Sequence, residues 1–119
     1  MYLRHFKISE FSCPCCEKTL MRDRFLTMLD EARGRAMIPF KISSGFRCEK
    51  HNKEIPNSAS NSPHLRGWAA DIHCPNSKDR HYIVRALVLT GFDRIGIGRN
   101  FIHADCDPSL KNSLIWLYP

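Results

Sequence analysis

The chain reads as an α+β fold: a single domain, mainly antiparallel sheet of about four strands, with two main helices. Three observations predict this. A length of 119 residues leaves room for one domain with one core. Two stretches carry apolar residues at helical spacing. Short alternating stretches, punctuated by Gly, Asn and Pro, are concentrated after the first of those helices.

Taken in order, residues 8–20 are irregular, with Ser9 and Ser12 available as local caps. Residues 1–21 form an N-terminal segment carrying a cysteine cluster, and the core is expected over about 22–118 of a domain spanning 1–119. From Arg22 to Met37, the residues Phe25, Leu26, Leu29, Ala32 and Ala36 recur as one helical face, and Pro39 stops the helix. Phe40 to Phe46 is a short strand. Cys48 to Pro63 is polar, rich in Asn and Ser, and reads as a long surface loop of the kind that is often functional. Trp68 to His73 alternates as a strand, with Ala69, Asp71 and His73 on one face. Ser77 is placed to cap a second helix bearing Ile83, Val84, Leu87 and Val88, with Gly91 as its stop. Arg94 to Gly98, Phe101 to Cys106 and Leu114 to Tyr118 follow as strands, the last closing a meander.

Composition narrows the function classes. The apolar fraction is 43% and the charged fraction 25%, as in ordinary globular domains. No apolar run approaches the roughly 18–20 residues that span a bilayer, so membrane insertion is not expected. No secretory signal is visible at Met1-Tyr2-Leu3-Arg4-His5-Phe6-Lys7, which points to synthesis in a cytoplasm. The net charge of +6 favours anionic partners. The basic residues are scattered and form no single block, so nucleic acid is not the expected target.

Six cysteines are many for such a chain. Cys13-Pro14-Cys15-Cys16 is a cluster, while Cys48, Cys74 and Cys106 stand apart. Cys13 and Cys16 have C-x-x-C spacing without a second such pair. Three readings stay open: reduced thiols, a second metal site recruiting Cys48 or another distant thiol, and disulfides.

The chemistry concentrates elsewhere. Ser62-Pro63-His64-Leu65-Arg66-Gly67-Trp68-Ala69-Ala70-Asp71 holds an imidazole and a carboxylate seven residues apart across a glycine. Phe101-Ile102-His103-Ala104-Asp105 adds a second imidazole in an apolar run. Taken singly, each residue has an ordinary structural use. Jointly, two imidazoles and a carboxylate suit one Zn2+ and leave a fourth position open, the mark of a catalytic rather than a structural site. Alternation puts Phe101, His103 and Asp105 on one strand face, where burial of an unpartnered imidazole and carboxylate would be costly.

The segment S-P-H-L-R-G-W-A-A-D-I resembles the S-x-H-x-x-G-x-A-x-D signature of zinc D-alanyl-D-alanine peptidases. That group takes in VanX-type dipeptidases, phage L-alanyl-D-glutamate endolysins and the metal-binding domain of hedgehog proteins. The likeness extends upstream to S-G-F-R-C-E-K-H-N and downstream to G-I-G-x-x-F-I-H-A-D, covering roughly Phe40 to Cys106. The S-E-F-S-C-P-C-C opening is most similar to small phage-encoded members. The resemblance implies that His64, Asp71 and His103 ligate one zinc ion. It implies that Arg47 engages substrate and polarises the scissile carbonyl, and that Ser62 helps to bind substrate. The implied substrates are peptidoglycan stem peptides, cut at a D-Ala-D-Ala or an L-Ala-D-Glu bond. A monomer is expected, made in an infected bacterial host and acting on the wall after release or export.

One departure stands out. VanX-type members carry a glutamate base three residues before the last histidine ligand, where this chain has Asn100. Hedgehog-type proteins place a histidine two residues before that ligand, where this chain has Phe101. Asp105 is therefore the candidate base or ligand-orienting group, and Asp93 a weaker one. His73, sharing a face with Asp71, is a candidate outer partner of the site. Three rivals remain: a zinc-binding module of the same fold without catalysis, a basic nucleic-acid binder with a Cys13–Cys16 knuckle, and a thiol peptidase pairing Cys48 with His51.

Overall fold

The computed structural model describes residues 2–56 and 58–119. Its centre is a five-stranded sheet: β1 (Ile42–Ser44), β2 (Ala69–His73), β3 (Arg94–Ile97), β4 (Phe101–Asp105) and β5 (Leu114–Leu117), in the order β1-β2-β4-β3-β5. The first four pair antiparallel. β5 lies parallel to β3 at the sheet's edge, so the chain does not close as a meander. Local alternation marks a strand but carries no information about which edge it joins.

One sheet face is apolar. Ala70, Ile72, Ile95, Ile102 and Ala104 point into a core completed by α1 (Asp23–Ala36) and α3 (Ser77–Thr90). α1 buries Phe25, Leu26, Leu29, Ala32 and Ala36, and each large side chain so buried contributes about 1.5–3 kcal/mol. It ends where Met37 turns left-handed at φ 62°. α3 contributes Ile83, Ala86 and Leu87, and Phe25 meets Phe92 edge-on at 5.9 Å between centroids. The cap of α3 is Asn76 and not Ser77: its side chain accepts from the Asp79 amide at 2.8 Å. No helix among the described residues is long and apolar enough to cross a membrane.

Two regions expected to be irregular are organised. The stretch after Cys48 contains a short helix, α2 (Glu49–Glu54), and a 3-10 turn at Pro63–Arg66. Asn57 within that stretch lies outside the described residues. The N-terminal segment holds a 3-10 turn at Ile8–Phe11, and its Phe6 and Phe11 belong to the main core. It runs on to Leu20 and Met21, which pass so close to Gly67 that a Cβ there would overlap the Leu20 carbonyl. Gly67 is also left-handed at φ 77°, so both sterics and backbone require glycine.

Candidate metal centre

The second sheet face carries the polar residues. Strand pairing aligns Ser44, Asp71, His103, Gly96 and Trp116 in one row across all five strands. Gly96 is the gap in that row: a Cβ there would stand 2.6 Å from the Tyr118 ring and 2.7 Å from the Trp116 indole nitrogen. Its absence lets both aromatics fold over the sheet beside His103, whose ring lies 5.5 Å from that of Trp116.

His64 reaches the same place from the 3-10 turn. Pro63 opens that turn, and the Ser62 hydroxyl accepts from the His64 amide at 3.3 Å, so Ser62 caps the ligand-bearing turn. His64, Asp71 and His103 are all buried, with one donor atom of each within 4.8 Å of the others. His64 Nε2 stands 3.3 Å from Asp71 Oδ1, and His103 Nδ1 stands 3.0 Å from the same oxygen. Donors about 2.0–2.1 Å from a tetrahedral Zn2+ lie about 3.3 Å apart, so the spacing fits the ion.

The far atom of each residue is fixed. His64 Nδ1 is 2.7 Å from the Gly45 carbonyl, which accepts its proton and leaves Nε2 as the lone-pair nitrogen. That Nε2 is buried without a hydrogen-bond partner, a costly condition that a cation relieves. Asp71 Oδ2 accepts from Arg47 Nη2 at 3.0 Å. His103 Nε2 lies 2.7 Å from Asp105 Oδ2, the carboxylate–histidine arrangement typical of metal ligands. Arg47 is itself held by the Ser44 hydroxyl at 3.0 Å and the Asn52 amide oxygen at 3.4 Å.

Electrostatics agree. Burial pushes the His64 imidazole down, keeping it neutral and ready to ligate. Burial pushes Asp71 up, but its surroundings outweigh that and hold the carboxylate well below its usual range, with His103 Nδ1 at 3.0 Å from Oδ1 and Arg47 Nη2 donating to Oδ2. Burial also lowers His103, yet its bonds to Asp105 and Asp71 outweigh that and raise it.

The trio lies in a cleft of about 530 Å³, a volume in the range of small-ligand sites. Ile55, Pro56 and Ala59 line one side; Phe101, Trp116 and Tyr118 line the other, with Arg47, Arg94 and Ser62 as polar members. Sequence reasoning missed Arg94, Trp116 and Tyr118. The signal available was alternation, which puts Arg94 with Gly96, and Trp116 with Tyr118, on single strand faces. The parallel pairing of β5 with β3 was what brought them to the ligands.

Asp105 does not serve as a base facing this cleft. It is fully buried behind His103, with Oδ1 engaged by Arg94 Nε at 2.7 Å and Oδ2 by His103. That leaves it the orienting role and no opening to solvent. Asp93 is exposed and does not line the cleft. His73 ends β2 exposed to solvent, beyond the site, because the cleft closes over the middle of the strand and not its tip. The Cys48–His51 pair is joined through the His51 backbone amide, 3.4 Å from Sγ, and neither residue lines the cleft.

The sequence pattern of the peptidase M15 family matches residues 4–105, most of the chain. This protein belongs to the peptidase M15 family. Members are zinc-dependent metallopeptidases, in keeping with a donor set of two imidazoles and one carboxylate. Comparison with curated proteins finds no match. Within the M15 match lie all three donor residues, Arg47, Ser62 and Asp105, whereas Trp116 and Tyr118 fall beyond it.

Proposed function

We propose that the chain hydrolyses a peptide bond of peptidoglycan stem peptides, of the D-Ala-D-Ala or L-Ala-D-Glu type. His64, Asp71 and His103 would hold a single Zn2+ in the cleft. The observation that carries this reading is the convergence of three buried donors whose far atoms are all tied down. Bound there, Zn2+ is a Lewis acid that polarises a carbonyl and makes a hydroxide nucleophile accessible near pH 7.

The chain's own residues do the rest. Arg47 fixes the carboxylate of Asp71 and keeps a guanidinium on the cleft wall, where negative charge develops during attack. Asp105, clamped by Arg94, holds the His103 ring so that Nδ1 faces Asp71. Burial raises the Tyr118 phenol, which stays protonated at neutral pH as a further donor on the wall. Arg47 and Arg94 make the cleft attractive to a carboxylate-bearing peptide. The S-E-F-S-C-P-C-C opening supports a phage-encoded enzyme that meets the wall after release from its host cytoplasm.

Incubating the zinc-loaded protein with defined muropeptides, read by mass spectrometry, tests this. Cleavage at one stem-peptide bond, abolished by chelator and restored by Zn2+, is expected. A second reading, zinc binding without catalysis, is favoured by one feature: Asp71 is the sole carboxylate side chain among the described residues lining the cleft. Intact muropeptides alongside bound zinc would select it.

A further inference from the structure

A second cluster of ligand-type side chains stands apart from the cleft. Cys13, Cys16 and Cys48 bring their sulfurs within 4.8 Å of one another, and none lines the cleft. Cys13 and Cys48 are 3.7 Å apart at Sγ. Tetrahedral Zn–S bonds of about 2.3 Å separate their sulfurs by about 3.8 Å, so this pair already has the required spacing.

The backbone around the sulfurs is shaped for anionic donors. Residues 14–16 form a tight turn, closed by the Glu17 amide on the Cys13 carbonyl at 2.8 Å, with Glu17 left-handed at φ 64°. Cys48 in turn caps α2 and receives the His51 amide at 3.4 Å. Thiols are weak acceptors, whereas thiolates take such amide bonds strongly. Cys15, exposed to solvent, belongs to the same turn as Cys16 and adjoins it in the chain.

We propose that Cys13, Cys16 and Cys48, with Cys15 as fourth donor, form a second, structural Zn2+ site. It fastens the N-terminal arm to residues 45–48. Each thiol gives up its proton to the solvent as the ion binds. The Phe46 amide already meets the Phe11 carbonyl at 2.9 Å across the same seam. The fastened segment supplies Gly45, whose carbonyl orients His64, and Arg47, which grips Asp71. The thiolate site is thus a positioning element for the cleft.

The test uses the purified full chain, reduced and loaded with Zn2+ or Co2+ alone. Two metal ions per chain are expected by elemental analysis. The Co2+ form should show thiolate-to-metal charge-transfer absorption, which His64, Asp71 and His103 cannot produce, since no cysteine is among the described residues lining the cleft. His64→Ala should keep that band and one ion. Cys13→Ser and Cys48→Ser should lose the band and keep the cleft ion. Should these variants not fold, mercurial titration of the wild-type protein replaces them, with one zinc released as the cluster thiols react. A wild-type Co2+ spectrum without charge transfer overturns the proposal. So does mercurial titration that releases no zinc, or peptide mapping that finds Cys13 and Cys48 joined as a disulfide in protein able to bind cleft metal. None of these readouts depends on peptide hydrolysis, so failure here leaves the peptidase reading standing.

Discussion

The cleft trio and the thiol cluster are built on opposite plans. His64, Asp71 and His103 are buried, two of them on adjacent sheet strands, and each is locked from behind by a carbonyl, a guanidinium or a carboxylate. Cys13, Cys16 and Cys48 sit on a turn and a helix cap, two of them half-exposed, with the His51 backbone amide on the Cys48 sulfur. The first plan fixes three donors at the wall of an open cleft. The second gathers soft donors that fold around an ion and close on it. Rigid scaffolding serves catalysis; local chain closure serves stability.

The largest effect that can break this comparison is loss of a cleft donor. His64→Ala should eliminate the cleft ion and reduce muropeptide hydrolysis by about a thousandfold or more, the equivalent of several kcal/mol of charge stabilisation. The thiolate–Co2+ band should survive. Hydrolysis at the wild-type rate in a protein lacking cleft metal would remove the distinction altogether.

Cys48→Ser should act the other way. With free zinc at a hundred times Kd, losing the thiolate ion costs about 2.7 kcal/mol of unfolding free energy. Denaturant unfolding with and without zinc measures this, and an unchanged zinc-dependent stability would contradict it. Hydrolysis should fall less than for His64→Ala, since Arg47 and Gly45 are displaced and not removed.

Asp105→Asn sharpens the contrast by loosening a single lock. Outer carboxylate partners are worth about 10–100-fold in metal affinity, which competition with a chromophoric chelator would report. No change would mean that Asp105 matters only through its pairing with Arg94.

The smallest expected effect is the pH profile. In metal-free protein the raised pKa of His103 means that its bonds stabilise fully below the unfolded value of 6.5 and fade as pH climbs through the higher folded one. Zinc replaces the proton on Nδ1, so its stabilising effect should grow across that window. His64, whose imidazole burial pushes down, works against this by gaining stability as pH rises through 6.5. Thermal melts of metal-free protein from pH 6 to 8 should therefore decline more steeply in His64→Ala than in wild type. His103→Ala should remove the declining component, while the zinc-dependent gain of the wild type increases. Asp71 has the opposite sign, since its contribution is present above the usual carboxylate range and is lost only in acid.

Much of the layout was legible from residue order. The apolar period of Phe25, Leu26, Leu29, Ala32 and Ala36 marked α1, and alternation marked the strands that carry Asp71 and His103. The spacing around Gly67 singled out His64. Less legible was the stretch after Cys48, whose polar composition hid α2 and the cleft wall formed by Ile55, Pro56 and Ala59. Composition reports solvation, and a short helix capped by Cys48 is largely solvated. His73 was grouped with Asp71 by alternation alone, which is blind to where a cleft ends along a strand.

By itself, the order of residues determined which side chains share a strand face, where the two long helices lie, and that two imidazoles and a carboxylate form a metal-binding set, while leaving the thiols open. Those properties follow from local geometry, repeating every two or 3.6 residues. Tertiary structure alone decided that β5 pairs parallel with β3, that Asp105 is sealed behind His103 by Arg94, and that Cys48 meets the N-terminal turn. Each of these is a contact between distant segments, set by strand register and burial, and no local period encodes either.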